Sequence, residues 1–150
     1  MQHVFNDGGR EAAGFKGHTG DCCIRAFAIA TGKPYQEVYD LVNQLAKTER
    51  PGSKCRRGRR STARTGVFGA TAHRLAYALA GAHLPGGQPI WWPCCQIGLG
   101  AAPISSLPTE GRLVVRFRRH YAAMIDGVIH DTFDPTYGRD RVVYGYWRFA

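Results

Sequence analysis

The chain has 150 residues and a mass of 16.5 kDa, which suits one domain with a single hydrophobic core. Apolar residues make up 44% and charged residues 21%, which excludes a disordered chain and a coiled coil, and no apolar run approaches the length of a membrane span. The formal net charge is +9, and six of the 20 basic residues lie between positions 54 and 64, where there is no acidic residue. The basicity therefore belongs to one loop and not to the whole fold.

The first half of the chain predicts an arm followed by three helices. Residues 1–20 are rich in glycine and predict an arm with turns at 7–9 and at Gly14. Asp21 is a candidate N-cap for a helix over 22–31, which is apolar almost all round and so should be buried. Apolar residues at helical spacing predict two further helices, over 34–47 and 67–80. Between them, residues 49–66 predict a basic loop.

The second half predicts strands. After a glycine- and proline-rich stretch with a short strand at Trp91–Trp92, the runs RLVVRF, HYAAMID, VIHDTF and VVYGYW predict four strands from residue 112 onward. The dipeptide Asp126–Gly127 between two apolar runs predicts a type I′ hairpin. Helices first and strands last indicate an α+β fold, in which the buried N-terminal helix packs on a C-terminal antiparallel sheet of four or five strands.

The hairpin brings a histidine and a carboxylate to one face of the sheet. With a two-residue turn, Ile125 pairs with Val128, and His120 and Asp131 become diagonal neighbours on the same face. By the same alternation, Asp134 points to the opposite face, and Asp126 lies in the turn itself. Asp131 is therefore the acid that we expect to orient His120, although a purely structural histidine–carboxylate pair on a sheet gives the same pattern.

Cys22 lies in the first turn of the predicted buried helix, where the helix dipole and free N–H groups favour a thiolate. Cys23 continues an apolar face and should be buried and inert. A thiolate, a histidine and a group that orients the histidine are the elements of nucleophilic amide hydrolysis. The alternative is that Cys22 is a small core residue without chemistry.

Taken together, the segments GDCCIRAFAIATGKPYQEVYDLV, STARTGV, RHYAAMIDGVIHDTFDPT and VVYGYW resemble a family of small bacterial and phage proteins that is similar to the papain-like cysteine peptidase superfamily. Within that superfamily, the nearest analogy is to the bacteriocin leader peptidases. The resemblance touches nearly the whole chain and implies a single papain-like domain over 1–150.

The resemblance assigns the nucleophile to Cys22, the general base to His120 and the orienting acid to Asp131. Papain-like peptidases usually carry a glutamine shortly before the cysteine, whose amide helps to bind the oxyanion, and this chain has none there. Asn6 or His18 would have to replace it, together with the backbone N–H of Cys22. The implied function is a cysteine-dependent hydrolase of peptide or peptide-like amide bonds.

The five cysteines indicate a reducing compartment. Their number is odd and four form adjacent pairs, which does not suit a disulfide framework, and the first 15 residues lack the apolar run of a secretory signal. We therefore expect a cytoplasmic protein, and the family resemblance implies that it is bacterial or phage-encoded. The cysteine spacing does not suit zinc, so we expect no metal or cofactor, and no membrane partner.

The basic loop leaves a second functional class open. Its charged residues are solvated in the simplest interpretation, but they could also bind phosphate backbones or an acidic partner; they are Lys54, Arg56, Arg57, Arg59 and Arg60. The alternative function is therefore a non-catalytic papain-like protein of a phage or mobile element that binds nucleic acid or a host protein through this loop. The sequence does not indicate an oligomeric state.

Overall fold

In a computed structural model of the chain, residues 1–16, 20–49, 60–80, 90–93 and 101–149 are described. These residues form three α-helices, which are α1 (Cys22–Thr31), α2 (Tyr35–Ala46) and α3 (Gly69–Ala80). The bounds of α1 agree with the prediction, and α2 is one residue shorter at each end. Helix α3 begins two residues later than predicted, because the N–H of Phe68 donates to the Ser61 hydroxyl (2.9 Å) and holds this segment outside the helix.

The strands form one large sheet and one small one. The strands are β1 (His3–Phe5), β2 (Ile90–Pro93), β3 (Ala102–Pro103), β4 (Arg112–Phe117), β5 (His120–Ile125), β6 (Val128–Asp131), β7 (Val142–Val143) and β8 (Gly145–Arg148). The large sheet has the order β1-β6-β5-β4-β8-β2, and β3 pairs with β7 in the small one. The run VVYGYW, predicted as one strand, is thus divided between the two sheets.

The expectation of an antiparallel sheet of four or five strands is wrong at one edge. Strand β1 pairs with β6 in parallel, with His3 opposite Ile129 and Phe5 opposite Asp131, so the sheet is mixed and has six strands. Without β1, the backbone groups of β6 would be an open sheet edge. Part of the predicted N-terminal arm is therefore a strand beside the residue assigned as the orienting acid.

Both faces of the central sheet are covered. Side chains alternate along β4, so that Val114 packs against the helices while Leu113 and Val115 pack on the other face. On the helical side, α1 is buried against the sheet, with Phe27 in contact with Trp147. This confirms the buried helix of an α+β domain. None of the helices in the described ranges is long and apolar enough to cross a membrane.

The β5–β6 hairpin has the predicted register. Ile125 pairs with Val128, Met124 with Ile129 and Ala123 with His130. Asp126 and Gly127 both have positive φ (48° and 79°), as a type I′ turn requires. Asp126 also accepts a hydrogen bond from the N–H of Gly111 (2.9 Å). The hairpin therefore fixes which residues of β5 and β6 face α1.

Candidate active site

The two adjacent cysteines lie in different environments at the start of α1. Cys22 is partly exposed and Cys23 is buried, and both are free thiols. Cys23 is 1% exposed in the helical core, and this burial raises the pKa of its thiol well above the ordinary value. Cys22, one residue earlier, lines the solvent-filled space in front of the helix. Of this pair, Cys22 is therefore the thiol that a reagent or substrate can reach.

His120 and Asp131 are joined as the strand alternation predicts. Nε2 of His120 lies 2.6 Å from Oδ2 of Asp131. The carboxylate is 3% exposed, and its other oxygen accepts the N–H of Thr132 (2.7 Å). Asp131 is thus held in place by its own backbone while it fixes one nitrogen of the imidazole.

His120 and Cys22 line the same two clefts. Burial alone lowers the pKa of His120, but the hydrogen bond with Asp131 and the nearby Cys22 outweigh it and raise the pKa to about 9. The arrangement therefore favours an imidazolium beside Cys22 at neutral pH.

Behind these three side chains lies a chain of alternating charges. Arg25 bridges the two acids, with 2.7 Å from Nη1 to Asp21 Oδ1 and 3.4 Å from Nη2 to Asp131 Oδ1. Asp21 also lies 3.0 Å from Nε of Arg10 and accepts the hydroxyl of Tyr35 (2.7 Å). Asp21 occupies the N-cap position of α1 as predicted, but its carboxylate makes no cap hydrogen bond. Two arginines and a tyrosine compete for it instead.

Two clefts meet at Cys22 and His120. The first cleft, of about 790 Å³, is lined by the aromatic residues Phe5, Phe15 and Phe133 and by charged residues of both signs. The second cleft, of about 570 Å³, shares Gly20, Cys22, Arg119 and His120 with the first, and its charged residues are arginines. A chain bound at Cys22 could therefore extend into both clefts.

The predicted oxyanion donors are not both available. Asn6 does not line either cleft. Its side-chain oxygen accepts the N–H of Gly8 (2.9 Å), and its amide nitrogen lies 3.3 Å from Nδ1 of His130, so both ends of the amide have partners elsewhere and the contacts give its assignment as an oxyanion donor no support. His18 lies outside the described residues. The backbone N–H of Cys22 remains, because the first N–H groups of a helix have no partner within it.

The other candidate residues have separate positions. The carboxylate of Asp134 accepts from Thr136 and Gly138 in its own turn. Of the basic loop, Lys54, Arg56, Arg57 and Arg59 lie outside the described residues, as do Cys55, Cys94 and Cys95. Arg60 is described: it donates to the Lys47 carbonyl (3.1 Å) and lines the second cleft.

Sequence reasoning did not identify Gly20 as part of the site. Its N–H donates to the Arg64 carbonyl (2.8 Å), and a Cβ at this position would lie 2.8 Å from the Thr65 carbonyl oxygen. Only a glycine allows the 61–66 segment to pack against the chain two residues before Cys22. In the sequence, a glycine two residues before a candidate nucleophile could have indicated this close approach of another segment. Sequence reasoning also missed Arg25, since no local pattern reveals its bridge to Asp131.

The described residues contain no group of three or more histidine, cysteine and acidic side chains that could hold a metal ion. Comparisons of the chain with protein-family models, with curated proteins and with solved structures give no match. What the site can do is therefore argued from its own geometry.

Proposed function

We propose that the protein is a cysteine-dependent hydrolase of peptide or peptide-like amide bonds. The observation that carries the proposal is that Cys22 lines the same two clefts as His120, whose imidazole is joined to the buried carboxylate of Asp131. A structural histidine–carboxylate pair needs neither an accessible thiol nor a cleft on each side of it. We propose further that the domain is papain-like, since a buried helix that begins with the nucleophile and packs on a sheet carrying the histidine fits that architecture.

In the proposed reaction, the Cys22 thiolate attacks the carbonyl carbon and forms a tetrahedral intermediate. The backbone N–H of Cys22, at the positive end of α1, is placed to stabilise the oxyanion. The imidazolium of His120 then gives its Nδ1 proton to the leaving nitrogen, the C–N bond breaks, and a thioester remains on Cys22.

A water molecule completes the cycle. His120, now neutral, takes a proton from the water at Nδ1, and the resulting hydroxide attacks the thioester carbon. The carboxylic acid leaves, and the thiolate and imidazolium are restored. Asp131 keeps its contact with Nε2 throughout, so that Nδ1 is the nitrogen that exchanges the proton.

The proposal is tested by the rate at which iodoacetamide alkylates Cys22 at about pH 6, where an ordinary thiol of pKa about 8.5 is almost entirely protonated. We expect Cys22 to react at least about tenfold faster than the same thiol in urea-unfolded protein, and His120→Asn to remove this advantage. Cys23 is the internal control, because burial should keep it unlabelled, and peptide mass spectrometry distinguishes the two.

An equal rate in folded and unfolded protein would contradict the proposal, as would a His120→Asn variant that reacts as fast as the parent. Either result would favour the non-catalytic alternative. A positive result leads to a search for turnover with peptide libraries, in which Cys22→Ala must abolish cleavage.

A further inference from the structure

The second cleft carries an unbalanced positive charge beside Cys22. Among the residues that the structure describes, its charged lining residues are Arg60, Arg116 and Arg119, with no acidic residue beside them. The first cleft differs, since acidic residues such as Asp7 and Glu11 line it together with its cations. The two sides of the cysteine therefore offer different electrostatic environments to a bound chain.

Arg116 and Arg119 are the two cations that can act on a ligand there. The ion pairs found among the described residues all involve Asp21 or Asp131, neither of which lines the second cleft. Arg116 and Arg119 form none of them, whereas Arg60 is already hydrogen-bonded to a backbone carbonyl. Arg116 is half-buried and Arg119 is exposed. A partly desolvated arginine that forms no ion pair, such as Arg116, attracts an anion strongly, and carboxylates fit the forked geometry of both side chains.

The fold holds Arg116 in the cleft wall. It is a half-buried residue of β4, and its guanidinium lies against the start of α3, with Nη1 3.6 Å from the position that a Cβ on Gly69 would occupy. The N-terminus of α3 adds partial positive charge at the same place. Arg119 immediately precedes His120 and lines both clefts, so the positive charge extends up to the reacting sulfur.

We propose that the second cleft is a specificity subsite for a carboxylate of the peptide substrate, an aspartate or glutamate side chain next to the scissile bond. This rests on the proposed hydrolase function, because Cys22 at the mouth of the cleft sets where the scissile bond lies. The cleft's 570 Å³ suit a side chain with its backbone. A nucleic acid strand fits less well, because its phosphates would have to enter a cleft whose inner cation, Arg116, is half-buried.

The test compares the rates at which iodoacetate and iodoacetamide alkylate Cys22. The two reagents are similar in size, but only iodoacetate carries a negative charge. The ratio of the two rates cancels changes in the reactivity of the thiol itself. We expect Arg116→Gln and Arg119→Gln each to lower the iodoacetate-to-iodoacetamide ratio by about threefold or more, and added salt to lower it in the parent protein. Lys33→Gln, which removes an exposed charge from the α1–α2 turn, is the control and should leave the ratio unchanged.

Two results would overturn the subsite. One is a ratio that neither arginine substitution changes. The other is a larger fall in the iodoacetate-to-iodoacetamide ratio with Lys16→Gln than with Arg116→Gln. That result would place the anion in the first cleft, which Lys16 lines. Failure of the proposed function would appear differently, as an iodoacetamide rate no higher in folded than in unfolded protein, whatever the ratio.

A second arm identifies the source of the anion. Acetyl-Gly-Asp-Gly-amide, the same peptide with Asn, and a single-stranded oligonucleotide are compared for protection of Cys22 against iodoacetamide. We expect the Asp peptide to protect more than the Asn peptide, and Arg116→Gln to abolish the difference. Equal protection by the two peptides, or stronger protection by the oligonucleotide, would overturn the assignment to an acidic peptide side chain.

Discussion

Replacing Asp131 by Asn tests whether a buried carboxylate keeps His120 protonated. The substitution preserves the shape of the side chain and an oxygen that can accept a hydrogen bond, but it removes the charge 2.6 Å from Nε2. Burial lowers the pKa of His120, and the contacts with Asp131 and Cys22 raise it to about 9. Without the charge, burial is opposed mainly by Cys22, so we expect the pKa of His120 to fall to about 6.5 or below.

The size of the effect follows from the two pKa values. A rise from 6.5 to about 9 corresponds to about 3 kcal/mol in favour of the protonated form in the folded state. Because the pKa is raised on folding, this stabilisation is complete below about pH 6.5 and is lost as the pH rises through about 9. The difference in free energy of unfolding between the parent and Asp131→Asn should therefore shrink over that interval.

The pKa of His120 is measured by an NMR titration of the histidine Cε1 protons, in which the His120 signal is assigned because it is missing from the spectrum of His120→Asn. The free energy of unfolding is measured by urea titration at about pH 6 and about pH 9.5. Asp134→Asn is the matched control, because the Asp134 carboxylate bonds only within its own turn in the contacts described. A His120 that titrates near 6.5 in the parent protein, or one that stays near 9 in Asp131→Asn, would refute the reasoning.

Three further substitutions test the structure around the site. Gly20→Ala places a Cβ 2.8 Å from the Thr65 carbonyl oxygen, and we expect it to slow the alkylation of Cys22 by iodoacetamide. Gly14→Ala is the comparison for the strain of a new side chain, because no described atom lies within 4 Å of the Cβ that it adds. Asp21→Ala removes the buried anion that Arg10 and Arg25 share, and leaves Arg25 with Asp131 alone. It should lower the free energy of unfolding by about 3 kcal/mol in urea titrations; a loss near zero would mean that the charge network does not stabilise the fold. Gly127→Ala puts a side chain at φ 79° and should cost about 1 kcal/mol in thermal unfolding, whereas an unchanged Tm would show that the hairpin turn tolerates it.

The local patterns that the sequence contains were sufficient for the three helices, for the β5–β6 hairpin and for one pair of the site. The bounds of α1 follow from an apolar run ended by glycine, and the β5–β6 register follows from Asp126–Gly127. Since side chains alternate along strands, that register by itself placed His120 beside Asp131, as the 2.6 Å contact confirms. These features depend on neighbours within about a dozen residues, and local sequence determines them.

The tertiary structure decided everything that depends on distant segments meeting. Nothing in residues 3–5 indicates a parallel strand, because its partner is the edge of a hairpin more than 120 residues away. The side chain of Asp21 looks like a helix cap in sequence, yet in the fold Arg10, Arg25 and Tyr35 converge on it and outcompete the backbone amides. The positive second cleft arises in the same way, since Arg116 comes from β4 and lies against the start of α3. Charge clusters and close approaches of this kind depend on which distant residues meet in three dimensions, and the periodicity of the sequence carries no information about that.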